Sequence, residues 1–592
     1  MLAVVHMPKF KRSLFVVFLS VSGVFSQTMH YSLKIDDEFW KFYHVRIDIQ
    51  GIDAKRLVFS MPIWVPGTYF VGDYGENVYA FEAENESGNP LRVEKLSKSD
   101  WEVQTDKNSR ITVTYDVKAS ERNFIGEGLD STGALIEGAA TWMYVRGCDH
   151  LPVTVSVNSA KSWQVATALP PAAEKDSYSA KDYNHLADCP IFIGELQDTT
   201  IYVLNKPHEI YFKGQADFSL SQFAAMVGKI VAYQAELFNG LPYERYHFLY
   251  TLLPELRGGG GLEHATSTSI GIPAIRITQD VESAASLTAH EFFHLWNVKR
   301  ITSDKLLPMR YDKDVRFESL WWLEGVTSYY ADLTLVRSGI WTVREFLDEL
   351  ETEIEVLQEN PDRLQTTLAQ ASWNAWEKGP MSIGISYYNK GKLTGLLLDL
   401  MMRKLTKNQF SLDKVLLYLW ENYGQQNCGF EDGDIQKIVE SLSGKDFSPF
   451  FDRYIHGLVE LPLKEILPFA GIDVEIEKKG EPSIGTVRLL GIRNRIFSID
   501  PKGAAAKAGL RRNDFLLAID DQKIESRDQF ADYITKRKVG EIVKLTAERD
   551  GAQMDFFARI ENFNRIHCTL KLNSKTSEEQ SALLNSWLRS TN

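Results

Sequence analysis

The sequence predicts a multidomain protein: an N-terminal all-β sandwich, an α+β unit that is mainly helical, and a smaller C-terminal α+β unit. Three observations predict it. Short runs of alternating apolar and polar residues fill the chain from 27 to about 205. From about 215 the apolar period lengthens to that of helices. Beyond 465 short strand-like runs return, with one amphipathic helix among them. A length of 592 residues suits several domains. Hydrophobic content of 44% and aromatic content of 12% are those of packed globular domains, not of disorder.

Taken in order, residues 1–26 read as a secretory signal peptide. Lys9, Lys11 and Arg12 form its positive segment, and "SLFVVFLSVSGVF" is an apolar core too short to span a bilayer. Val24 and Ser26 are small residues where a cleavage site needs them. The expected location is secreted or periplasmic, a retained membrane anchor being the alternative. No later stretch is apolar enough to span a membrane. Residues 27–205 hold the sandwich, in runs such as "YSLKI", "VRIDIQ" and "RITVTYDVKA". Residues 206–464 form the second unit. "FSLSQFAAMVGKIVAYQAELFN" predicts a long helix, "YHFLYTLL" a buried strand, and helices dominate from 283 to about 456. Residues 465–565 form the third unit, with Asp550-Gly551 as a tight hairpin turn, and 566–592 a C-terminal tail. Within the third unit "PKGAAAKAGLRRNDFLLAIDDQKI" resembles a PDZ segment, which implies capture of extended peptides at a sheet edge. "LLGIRNRIF" matches the carboxylate-binding loop of that family only loosely.

The formal charge of −13 excludes the basic stripe that nucleic-acid binding requires. The four cysteines, Cys148, Cys189, Cys428 and Cys568, match no metal knuckle or redox pair. Cys148 and Cys189 share the N-terminal region and are the pair open to bridging in an oxidising compartment.

The chemistry concentrates in "ASLTAHEFFHLWNVKR", residues 285–300. No Pro or Gly interrupts it, so a helix presents His290 and His294 on one face, one turn apart. Two such imidazoles suit one Zn²⁺, and Glu291 can serve a metal-bound water as general base. The third ligand should be a carboxylate on a nearby helix. Glu318 and Glu324 in "FESLWWLEGVTSYYADL" are the candidates. Six residues apart, they point about 120° away from each other, so both cannot face the metal. Glu324 lies among aromatics, where a buried charge needs a partner that a metal would provide.

"HEFFHLWNVKRI", "WWLEGVTSYYADL", "GGGLEH" and "SYYNKG", in this order, resemble the glycyl aminopeptidase family of gluzincin zinc metallopeptidases. "MPIWVPGTYFVGDYGENV" and "FFDRYIHGLVELP" add to the resemblance, which runs from about residue 30 to 560. It implies an N-terminal β domain, a thermolysin-like catalytic domain and a C-terminal PDZ domain. It also implies one zinc ion per chain, held by His290, His294 and Glu324, with Glu291 as base. Glu263 would grip the substrate's ammonium, with Gly260, Gly261 and His264 as further substrate-binding residues. Tyr388 would donate to the oxyanion, Tyr387 being the adjacent alternative. The implied activity is removal of small N-terminal residues, Gly or Ala, from peptides with a free N-terminus. An endopeptidase with the same site, or an inactive binding scaffold, is the alternative.

Overall fold

The computed structural model describes residues 27–589 apart from 36–40, 106–109, 120–122, 160, 162, 255–257, 379–383, 491–493 and 525–526. The expected signal peptide, and part of the loosely matching PDZ loop, lie outside the described residues.

The N-terminal alternation is that of half-buried strands. Thr28–Ile35 buries every second residue: Met29, Tyr31, Leu33 and Ile35. It pairs antiparallel with Phe42–Gln50 and parallel with Val153–Ser159 in a six-stranded sheet. Arg56–Ser60 and Asp100–Gln104 lie at the centre of a four-stranded sheet. Leu33, Val45, Ile47 and Val113 of the first sheet share one core with Phe59, Trp101 and Val103 of the second. That shared core makes the unit a sandwich.

The second unit is built on a five-stranded sheet of order β1-β2-β3-β5-β4. Its strands are β1 (Leu196–Val203), β2 (Lys206–Lys213), β3 (Tyr246–Leu253), β4 (Gly260–Glu263) and β5 (Ser267–Pro273). Leu204 and Asn205, with φ of +50° and +61°, turn β1 into β2. The boundary read at 205 therefore falls inside a hairpin whose two strands both belong to this sheet. β3 is buried at every residue, because the sheet is covered on both faces. On one side, α1 (Leu220–Leu237) packs Phe223 against Tyr250, ring centroids 4.9 Å apart. On the other, Leu249 packs with Leu135 and Phe192 of the N-terminal unit. Ser219 caps α1, accepting from the Gln222 amide. Beyond the sheet come α2 (Ala285–Phe293), α3 (Thr327–Arg337), α4 (Val343–Glu359) and α5 (Tyr387–Leu405).

The C-terminal unit has its own core of Leu516, Ile519, Phe530, Ile534 and Leu545. Asp550 and Gly551 take φ of +50° and +79°, the backbone of the expected tight turn. The unit is tied back by a ribbon in which β6 (Ile472–Ser483) pairs along its whole length with β7 (Glu561–Leu572). The free edge of β7 is covered by carboxylates on successive turns of α4. Glu359, Glu355 and Glu351 accept from the amides of Ile566, Cys568 and Leu570. The expected tail from 566 is thus not a tail. It completes β7 and forms α6 (Glu578–Leu588), whose Leu583, Trp587 and Leu588 enter the core of the second unit. The sequence pattern of α6 is only one short amphipathic turn set, and its burial depends on a partner surface more than 100 residues upstream.

All four cysteines are free thiols. Cys189 is turned into the sandwich core while Cys148 sits partly exposed on a turn, so the two do not bridge. Among the described residues no helix is long and apolar enough to cross a membrane.

Candidate active site

α2 ends at Phe293, and His294 caps it in a still right-handed helical conformation (φ −60°, ψ −18°). One helical turn therefore separates the two rings, and His290 Nε2 lies 2.9 Å from His294 Nε2. Each ring is oriented through its other nitrogen. His294 Nδ1 donates to the Asn297 carbonyl at 2.8 Å, and His290 Nδ1 lies 3.3 Å from Ser328 Oγ. Asn297 is itself held, its amide donating to the Trp322 carbonyl and to Thr327 Oγ1, each at 3.0 Å.

Glu324 lies in a π-helical stretch, Trp321–Val326, that leads into α3. Such widened turns are frequent at working sites, since they re-aim a side chain that an α-helix would present elsewhere. Glu324 Oε2 lies 3.5 Å from His290 Nε2 and 3.2 Å from His294 Nε2. Glu318, the rival candidate, is half-exposed beside His456. The structure brings Glu324 and not Glu318 to the histidines.

The three donor atoms form a triangle with sides of 2.9, 3.2 and 3.5 Å. Tetrahedral zinc, with bonds of about 2.0–2.2 Å, separates its donors by roughly 3.3 Å. The donor set fits that ion in number, chemistry and spacing. Glu263 and Glu291 converge on the same place, each offering an oxygen within 4.8 Å of a His294 nitrogen and of each other. Gly261 makes this possible: a β-carbon there would overlap the Glu291 carboxylate, so only glycine lets β4 lie against α2. Gly260 lies beside it, under the Phe124 ring of the N-terminal unit.

The site carries three buried carboxylates, and its electrostatics follow from them. Burial raises the Glu324 carboxyl, but His294 and His290 outweigh it and hold it at about 2. Burial lowers His290 to about 4, and the neighbouring His294 adds to the effect. Burial would lower His294 too, but Glu324 and Glu263 overcome it and hold the imidazole at about 10. Burial lifts Glu263 and Glu291 above the ordinary carboxylate range. This is an environment that draws positive charge inward.

Tyr388 is the second residue of α5 and keeps some exposure, its ring centroid 6.0 Å from that of His290. Burial pushes its phenol well above the ordinary value, so it remains a donor. Tyr387 stacks on it from behind at 4.8 Å and is 5% exposed.

His264 is not brought to this cluster. Successive side chains leave a strand on opposite faces, so Glu263 faces the histidines and His264 faces away. Its Nε2 lies 3.6 Å from Glu137 and its Nδ1 3.5 Å from Asp188, both in the N-terminal unit. Asp188 also pairs with Lys299 at 2.5 Å. His264 thus belongs to a buried polar junction between two units, and a substrate contact is not what the geometry gives it. Sequence reasoning missed Glu137, Asp188 and Lys299. Nothing local marks their role, because what each of them faces is decided only when the units pack. It also assigned no role to Tyr69, although the stretch containing it was conspicuous.

Comparison with known proteins agrees with this architecture. The Peptidase M61 N-terminal domain matches residues 30–195, the M61 glycyl aminopeptidase domain residues 283–394, and a PDZ domain residues 468–558. An aminopeptidase N family protein from Idiomarina loihiensis shares the fold, with a TM-score of 0.81 at 24% identity over 95% of this chain and 100% of that one. An M1 zinc metallopeptidase from Deinococcus radiodurans is more distant, with a TM-score of 0.49 at 15% identity over 74% of this chain and 95% of that one. No curated protein matches the chain significantly. The chain is a peptidase that carries an M61 N-terminal domain, an M61 glycyl aminopeptidase domain and, after them, a PDZ domain.

Proposed function

We propose that the chain is a zinc-dependent aminopeptidase that removes small N-terminal residues from peptides, with a thermolysin-like catalytic unit. The observation that carries this reading is the buried triangle of His290, His294 and Glu324 with two further carboxylates, Glu291 and Glu263, converging on it. His290, His294 and Glu324 would hold the metal. A bound zinc ion supplies a Lewis acid that polarises the scissile carbonyl and makes a water acidic at neutral pH.

The chain's own residues do the rest. Glu291 takes the proton of the attacking water and later gives it to the leaving amine, a task that suits a carboxylate whose burial has raised its pKa. Tyr388 donates a hydrogen bond to the developing oxyanion, a contact made mainly in the transition state. Glu263 holds the α-ammonium at the end of β4, which sets the cut one residue in. The edge position of β4 leaves its backbone free to pair with an extended peptide.

The test separates aminopeptidase from endopeptidase. Glu263→Ala removes one partner of a buried, charge-assisted contact, worth about 2–5 kcal/mol. It should cut kcat/KM for free-amino substrates by roughly 30-fold or more. N-acetylation of the substrate should cost the wild type a similar factor and cost the variant little, since both changes delete the same contact. Equal cleavage of acetylated and free peptides by the wild type would sink the aminopeptidase reading. The parallel change Tyr388→Phe should lower kcat by roughly 10²–10³ with little change in KM, while Tyr387→Phe is mild. The reverse pattern would assign the donor role to Tyr387.

A further inference from the structure

Tyr69 belongs to the N-terminal unit, between the strand Arg56–Ser60 and the short helix Tyr74–Asn77. Yet its ring packs with Phe317 and Trp376 of the catalytic unit, centroids 6.1 and 6.2 Å away, and it is 1% exposed. Its φ is +49°, in the left-handed region. A bulky residue takes that conformation only where its surroundings compel it, and such strain concentrates at working sites. The hydroxyl oxygen is buried without a well-formed hydrogen bond, a costly state for a phenol. Burial, and after it the carboxylates of Glu324 and Glu263, push the phenol well above its ordinary value and keep it protonated. Two residues earlier, Gly67 (φ +99°) lies against the same group: a β-carbon there would stand 2.7 Å from Glu263 Oε2. Tyr69, Gly67 and Glu263 line one cavity together with Trp64, Pro66 and Lys299.

From this placement we propose that Tyr69 is a substrate-binding residue supplied by the N-terminal unit. Its hydroxyl donates to Glu324 and accepts a hydrogen bond from the substrate α-ammonium held at Glu263. A phenol has one O–H and two lone pairs, so it serves both contacts at once. An ammonium carries three donors, and a carboxylate on one side leaves at least one without an acceptor. The strained backbone then has a function: it drives the hydroxyl past the domain boundary to where the ammonium sits. The N-terminal unit becomes part of the active site rather than a support for it. This proposal rests on the aminopeptidase reading and extends it to a residue outside the catalytic unit.

The experiment compares full-length, zinc-loaded wild type with Tyr69→Phe, which keeps the ring and removes the hydroxyl. Alanyl and N-acetylalanyl reporters are the substrates. The variant should raise KM for the free-amino reporter by on the order of 10- to 100-fold, the range for a hydrogen bond to a charged group, with kcat little changed. Its slow turnover of the acetylated reporter should equal that of the wild type, and its zinc content should stay at one per chain. Calorimetric titration with alanine amide in the Glu291→Gln background, where turnover is removed, should show the same loss of affinity. Tyr69→Leu should lose at least as much. A loss in the Leu variant alone would assign the role to ring packing and overturn the proposal. Loss of zinc, or equal loss on both reporters, would make Tyr69 a positioning residue for Glu324 and overturn it too. Undiminished discrimination by Tyr69→Phe would sink the proposal while leaving the aminopeptidase reading intact. Failure of the wild type to discriminate would sink both.

Discussion

Replacing Glu291 by glutamine is expected to leave the metal bound and to remove turnover. The carboxylate is not a corner of the donor triangle, so zinc should remain at one per chain by elemental analysis. The amide fits the same space under Gly261, where the β4 backbone lies against the side chain, so the fold should not change. What is lost is a base that serves two proton transfers. Removal of one general base typically costs on the order of 10²–10⁴ in rate, and the double role puts this change at the upper end. A variant with stoichiometric zinc that still hydrolyses alanyl reporters near the wild-type rate would show that the base lies elsewhere. The buried carboxylate of Glu263 is the nearest other group of the right chemistry.

Trp587→Ala should be the most damaging single change outside the site. Trp587 is fully buried, its ring 5.5 Å from that of Phe346. Its indole nitrogen donates to Tyr329 Oη at 2.7 Å, and Tyr329 donates on to Asp399 at 2.7 Å. The Trp587 carbonyl accepts from Arg337 Nε, also at 2.7 Å. Tyr329 and Arg337 both stand on α3, the helix that continues the Glu324 segment. Emptying so large a site costs about 3–5 kcal/mol, which lowers the midpoint of the catalytic unit's thermal transition by roughly 10 °C. The PDZ unit has a separate core, so its transition should not move. If calorimetry finds the catalytic transition unchanged, α6 is the dispensable tail that its position at the chain end suggests.

The chain by itself determined whatever depends on near neighbours. Alternation specified the sandwich strands, and one-turn spacing put His290 and His294 on a common face, with Glu291 beside them. Asp550-Gly551 specified a hairpin, since few pairs take two left-handed residues in succession. The apolar run "YHFLYTLL" announced a strand covered on both faces. The choice of Glu324 over Glu318 was legible because a charge among aromatics needs a partner. Other features belong to the tertiary structure alone. Nothing near His264 in the chain shows that it meets Glu137 and Asp188 and turns away from the histidines. Nothing near residue 580 shows that a terminal helix will plug a core whose other wall lies more than 200 residues earlier. Tyr69 reaches the site only because the units pack with Gly67 against Glu263. Periodicity and spacing report what a residue's own element does with it, over a turn or a strand. The groups that complete this site come from elements far apart in sequence, and only the packed domains put their charges within reach of one another.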